Sequence, residues 1–105
     1  MTKSNHDNPE YLLIVAPEAQ MDIVGILQYT FEKWGQSQAD KYHRIIACEF
    51  STIRTNPGVG HSRTDIPKRY KAHQAGQHVI IFRVETETVF IVRVLHGSMD
   101  FNNRL

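Results

Sequence analysis

Cysteine is nearly absent from this 105-residue chain: Cys48 stands alone, so no internal disulfide can form. That excludes a disulfide-stapled scaffold and points to a reducing compartment. No stretch approaches the ~20 apolar residues of a membrane-spanning helix. The opening MTKSNHDNPE lacks the apolar run of a signal peptide. A cytoplasmic protein with no membrane association is the expectation. Six histidines are present, but none shows helical i, i+4 pairing or a Cys–His spacing. The glycines at 58 and 60 are not followed by GK[ST], so they do not form a phosphate loop. No metal and no cofactor are expected.

An excess of one charge is also missing. The net charge is only +1, which argues against a strong general nucleic-acid binder or direct sequence-specific binding by the chain alone. The total hides an asymmetry. Residues 1–50 hold four Lys/Arg against seven Asp/Glu, and residues 51–105 hold eight against four. The positive field therefore belongs to the second half, where it could attract acidic protein segments or nucleic acid alike.

What the chain does have is patterning. Residues 1–10 are polar and read as a flexible tail, leaving 11–105 as one domain. Residues 11–15 (YLLIV) read as a strand. Ala16-Pro17-Glu18 then has the form of a helix start. Ile23, Ile26, Leu27, Thr30, Phe31 and Trp34 recur at helical spacing on one face, and Gly35 is a natural stop. Ser37 is placed to cap a second helix, with Ala39, Tyr42, Ile46, Phe50 and Ile53 sharing a face up to Asn56-Pro57-Gly58. So short a link between the helices predicts an antiparallel hairpin. Cys48 in the second helix reads as a structural thiol, because no base is patterned with it.

A loop over 58–68 leads to three strand signals: 69–74, 79–84 and 88–95. The predicted fold is α+β, in the order β-α-α-β-β-β, with the helical hairpin on one face of a mainly antiparallel sheet. The last two strands, within HVIIFRVETETVFIVRVLHGSMD, are too apolar for a half-exposed sheet. Alternation splits them between two faces. Ile80, Phe82, Val84, Phe90, Val92 and Val94 are assigned to the helices, with Tyr70 and Ala72. Val79, Ile81, Arg83, Val89, Ile91 and Arg93 are assigned to an open face, with Arg69, Lys71 and His73. The choice of side rests on the cost of burying an unpaired arginine under the helices. A part-apolar, part-basic open face marks an interaction site.

At this point several stretches resemble a known family. HVIIFRV and IVRVLHGSMD, with YTFEKWGQSQADKY and NPGVG, resemble the ParE branch of the RelE/ParE toxins from about residue 17 to 105. The resemblance implies the toxin of a type II toxin–antitoxin pair, neutralised by a ParD-like antitoxin and poisoning DNA gyrase by binding. The alternative is a RelE-like ribosome-dependent mRNA endoribonuclease. Such chemistry needs a base, an acid and cations around the phosphate. Arg83, Arg93 and His96 are the candidates, with Lys71 or His73 assisting, but no carboxylate accompanies them. The open-face residues Val79, Ile81, Arg83, Val89, Ile91 and Arg93 are the expected antitoxin contacts. His96, Ser98, Met99 and Asp100 are the expected target contacts.

Overall fold

The computed structural model describes residues 10–105; the expected tail lies almost wholly outside the described residues. Strand β1 (Leu12–Val15) precedes two helices, α1 (Pro17–Trp34) and α2 (Gln36–Thr55). Strands β2 (Lys71–Ala75), β3 (His78–Glu85) and β4 (Thr88–His96) follow, and a short 3-10 turn (Phe101–Asn103) ends the chain. The sheet order is β1-β4-β3-β2, with β1 parallel to β4 and the other pairs antiparallel. This is the expected α+β order, and the single parallel pair makes the sheet mixed.

Pro17 opens α1 and Glu18 lies in its first turn, as the local chemistry dictates. Gly35 alone joins the helices. Its φ of 92° is open only to glycine at low cost, and its N–H and C=O serve the end of α1 and the start of α2. Ser37 is therefore not the cap: α2 already begins at Gln36. The α2 face is the expected one, with Ala39, Ile46 and Ile53 buried. On α1 the buried stripe is narrower than expected. Ala19, Ile23 and Ile26 pack on the sheet, while Phe31 and Trp34 stay exposed.

Both faces of the sheet are covered, but by different parts of the chain. Under the helices lie Ala75, Ile80, Phe82, Val89, Ile91 and Val94. On the other face, Ala72, Val79, Ile81 and Leu95 pack with Ile66 from the long loop and Phe101 from the last turn. Phe101 is fully buried. The chain thus supplies its own lid where a partner was expected.

Three side assignments are corrected. In β4 the register shifts opposite Ile81 and Phe82, which pair with Arg93 and Ile91 and leave Val92 as an extra residue. A bulge of this kind reverses alternation. Val89 and Ile91 therefore face the helices, and Phe90 and Val92 do not. In β2, Ala75 faces the helices and His73 reaches Glu49 of α2 at 2.6 Å, whereas Ala72 and Tyr70 pack on the opposite side. Arg93, assigned to the open face as an unpaired charge, instead meets a carboxylate of α1. Arg83 does lie on the outer face, stacked on Phe90 with its guanidinium 4.2 Å from the ring centroid and paired with Glu85.

Candidate functional site

The groove begins with Tyr42, one turn into the buried face of α2. Its ring lies against the β2–β3 turn, where Gly76 has φ 60°. The phenol oxygen accepts the Gln77 N–H at 2.9 Å and contacts Nδ1 of His78 at 2.6 Å, with the Ala75 carbonyl at 3.2 Å. Burial pushes the Tyr42 hydroxyl above its ordinary pKa, partly offset by those backbone contacts. It therefore stays protonated and acts as a clamp.

His78 and His96 are cross-strand partners, and their rings meet edge to face with centroids 5.2 Å apart. Nδ1 of His96 lies 2.8 Å from the Ser98 hydroxyl and accepts the Ser98 N–H at 3.2 Å. These contacts join α2, the ends of β3 and β4, and the first residues of the C-terminal segment. Beside them runs a groove of 730 Å³ between α1 and that segment. Met21, Tyr29, Trp34 and Met99 form its exposed apolar rim, while Tyr42, His78 and His96 line it more deeply. Four large apolar side chains held in water beside one concave surface mark a contact surface.

At one end of the groove, Arg93 and Asp22 form a fork-to-fork ion pair. Nε donates to Oδ2 and Nη2 to Oδ1, both at 2.8 Å. Asp22 raises the Arg93 pKa further, mainly through these hydrogen bonds, so the guanidinium is permanently charged. Exposed apolar groups also lie at the far edge of the sheet. Leu12 and Ile14 of β1 point outward beside Thr88 and Phe90, with Arg83 stacked on Phe90.

The expected antitoxin residues are thus not one surface. Val79, Ile81, Val89 and Ile91 are buried inside the chain, on two different faces. Arg83 alone remains on an outer face beside exposed apolar groups. The expected nuclease set is not gathered either. His96 sits opposite His78, whereas Arg83 is five residues further along β3, about 16 Å at the rise of a strand. Arg93 is already engaged by Asp22. Of the expected target residues, His96, Ser98 and Met99 line the groove. Asp100 instead caps the final turn, accepting the Asn102 N–H at 3.1 Å. Sequence reading missed Asp22, Tyr42 as a polar group, and the rim on α1. The only prior signal was excess apolar residues on α1, more than one buried stripe needs. Among the described residues no cluster of three metal-ligating side chains occurs, and no helix is long and apolar enough to cross a membrane.

Burial, with His96 alongside, holds the His78 imidazole below its ordinary value of 6.5. The unfolded chain then takes up the proton more readily than the native one. Stability accordingly falls as pH drops through about 6.5 towards the lower native value, and levels off below it. The melting temperature is expected to decline from pH 7.5 to 5.5, and His78→Gln to flatten part of that decline. An unchanged slope in the variant would assign the acid sensitivity to other groups.

A helical hairpin on one face of a four-stranded mixed sheet, in the order β-α-α-β-β-β, is the fold of the RelE/ParE class. The family described as ParE toxin of type II toxin-antitoxin system, parDE, matches residues 13–101. Toxin ParE1 of Mycobacterium tuberculosis is 33% identical over 93 residues, spanning 88% of this chain and 95% of that protein. Toxin ParE1 of Caulobacter vibrioides is 34% identical over 82 residues, 78% and 84% of the two chains. Toxin ParE of Escherichia coli is 30% identical over 96 residues, 88% and 90%. Among solved structures, the chromosomal ParDE system of P. aeruginosa superposes with a TM-score of 0.73 at 17% identity, covering 83% of this chain and 96% of that one. The RelBE2 toxin–antitoxin complex of Mycobacterium tuberculosis gives 0.62 at 16% identity, covering 86% and 94%. This chain belongs to the ParE toxin family of type II toxin–antitoxin systems.

Proposed function

We propose that this ParE-family toxin poisons DNA gyrase by binding, without cutting nucleic acid, and that a ParD-like antitoxin holds it inactive. One observation carries the choice of binding over cleavage: the residues a nuclease would need are apart. Arg83 stacks on Phe90 at one end of the β3–β4 pair, His96 bonds Ser98 at the other, and Arg93 is committed to Asp22. The Met21–Tyr29–Trp34–Met99 rim fits the alternative use of that region, as a protein contact. Apolar groups with two aromatics and few charges are what a docking surface offers. A toxin with this target works in the cytoplasm.

The antitoxin surface is proposed at the sheet edge bearing Leu12, Ile14, Phe90 and Arg83, where apolar surface is still open. Val79 and Ile81 are withdrawn from it, being sealed by Phe101. His96→Gln tests the mechanism. If His96 served as acid or base, toxicity on induction would fall about a hundredfold or more. Under the binding reading the change is a few-fold at most. A collapse of toxicity with the melting temperature and gyrase affinity intact would return the protein to the nuclease class.

A further inference from the structure

We propose that Arg93, gripped by Asp22, is a positioning residue that fixes residues 97–105 beside the groove, so that Met99 is presented to the target in one place. The proposal rests on the reading that this segment meets the target. Arg93 uses all three guanidinium nitrogens. Nε and Nη2 donate to the two Asp22 oxygens at 2.8 Å, and Nη1 donates to the Arg104 carbonyl at 2.7 Å. Asp22 Oδ2 also accepts the Val94 N–H at 2.9 Å, directly after the bulge. Two side chains thus join helix α1, the bulge of β4 and the last turn. Both are largely shielded, with 22% and 14% of their side chains exposed.

Besides the Ser98–His96 contacts, the segment has other attachments. Its first residue, Gly97, donates its N–H to the Gln77 carbonyl at 3.0 Å, and the Met99 N–H reaches the His96 carbonyl at 3.0 Å. Phe101 enters the core on the outer sheet face. The Arg104 carbonyl ties the far end back to the groove side, through Arg93. With it, the stretch containing Met99 is held at both ends. Lysine could neutralise Asp22, but it has no fork with which to hold Asp22 and the carbonyl together. β1 ends opposite Ile91, so β4 has no β1 neighbour at Arg93 and the long side chain can reach Asp22 of α1 there.

Two changes break the tie from opposite ends. Arg93→Lys removes the fork. Ending the chain at Asn103 removes the Arg104 carbonyl and leaves the Asp22–Arg93 pair untouched, so the test survives if the first variant is poorly stable. Amide hydrogen exchange is followed together with gyrase-dependent cleavage of supercoiled plasmid. In both variants residues 98–103 are expected to exchange at least about tenfold faster, the loss of one charge-assisted hydrogen bond, while β3 amides keep their rates. The concentration giving half-maximal plasmid cleavage is expected to rise about tenfold, and the combined variant to be no worse than either alone. Unchanged exchange in the segment would overturn the tie, whatever happens on gyrase. Faster exchange throughout the sheet would reduce Arg93 to a stability role and overturn positioning. Faster local exchange with undiminished plasmid cleavage would overturn the segment as the target contact. An original chain inactive on gyrase would sink the functional reading, with the exchange rates still deciding the tie.

Discussion

Phe101→Ala is expected to destabilise the protein by about 3–5 kcal/mol, the cost of emptying a well-packed phenylalanine site. For a domain of this size that lowers the melting temperature by on the order of 15–25 °C. Phe101 is fully buried and is the largest fully buried group on the outer sheet face, packed with Ile66, Ala72, Val79, Ile81 and Leu95. Arg63 covers its ring, with the guanidinium 4.4 Å from the centroid. Its removal bares apolar groups of both long strands and leaves a cavity the strands cannot collapse to fill. Met99→Ala, two residues away on the groove rim, should cost little because Met99 is already 40% exposed. Urea unfolding of the two variants checks the contrast. A Phe101→Ala loss under about 1 kcal/mol would mean that the last turn is not seated on the sheet.

Gly76→Ala should cost about 2–3 kcal/mol, combining a left-handed backbone with a side-chain collision. The backbone at Gly76 has φ 60°, and a Cβ there would lie 2.6 Å from the Tyr42 hydroxyl and 2.7 Å from its ring. Tyr42 cannot simply swing aside, because its oxygen holds Gln77 N–H and His78 Nδ1 together. The added methyl therefore disturbs the β2–β3 turn and the histidine pair in one step. Thermal melts should show the loss, and the His78 and His96 ring proton resonances should move together. Unaltered resonances would show that the clamp yields without cost.

These two sites differ in how far the sequence discloses them. Gly76 lies between strand signals and is readable as a turn. Its collision partner, Tyr42, lies 34 residues earlier on a helix and is not. Element order was legible because it depends on local periodicity and on Pro17, Gly35 and the Asn56-Pro57-Gly58 stop. Side assignment was less so. Alternation gives β3 correctly, placing Ile80 and Phe82 under the helices and Arg83 outside. It fails in β4 because a bulge is an offset between two strands, and nothing in VFIVRV announces one. Burying an unpaired arginine is costly, but Arg93 is paired, and its partner Asp22 is 71 residues away in sequence.

The C-terminal segment shows the same limit. Its polar composition suggests only a short helical turn started by Ser98. Asp100 instead caps a 3-10 turn that delivers Phe101 to the core. One apolar residue among polar ones was enough, because the sheet face above β3 and β4 offered it a place. The apolar excess of these strands, first taken as a sign of a partner, is largely absorbed within the chain. What remains open is the groove rim on α1 and the sheet edge at Leu12 and Ile14.

Paired reconstituted assays decide whether this toxin acts, as proposed, by binding gyrase. The purified protein is incubated with gyrase and supercoiled plasmid, and in parallel with ribosomes carrying mRNA. Poisoning by binding gives gyrase-dependent accumulation of cleaved plasmid, suppressed by the cognate antitoxin, with intact mRNA. Cut mRNA with uncleaved plasmid would contradict it.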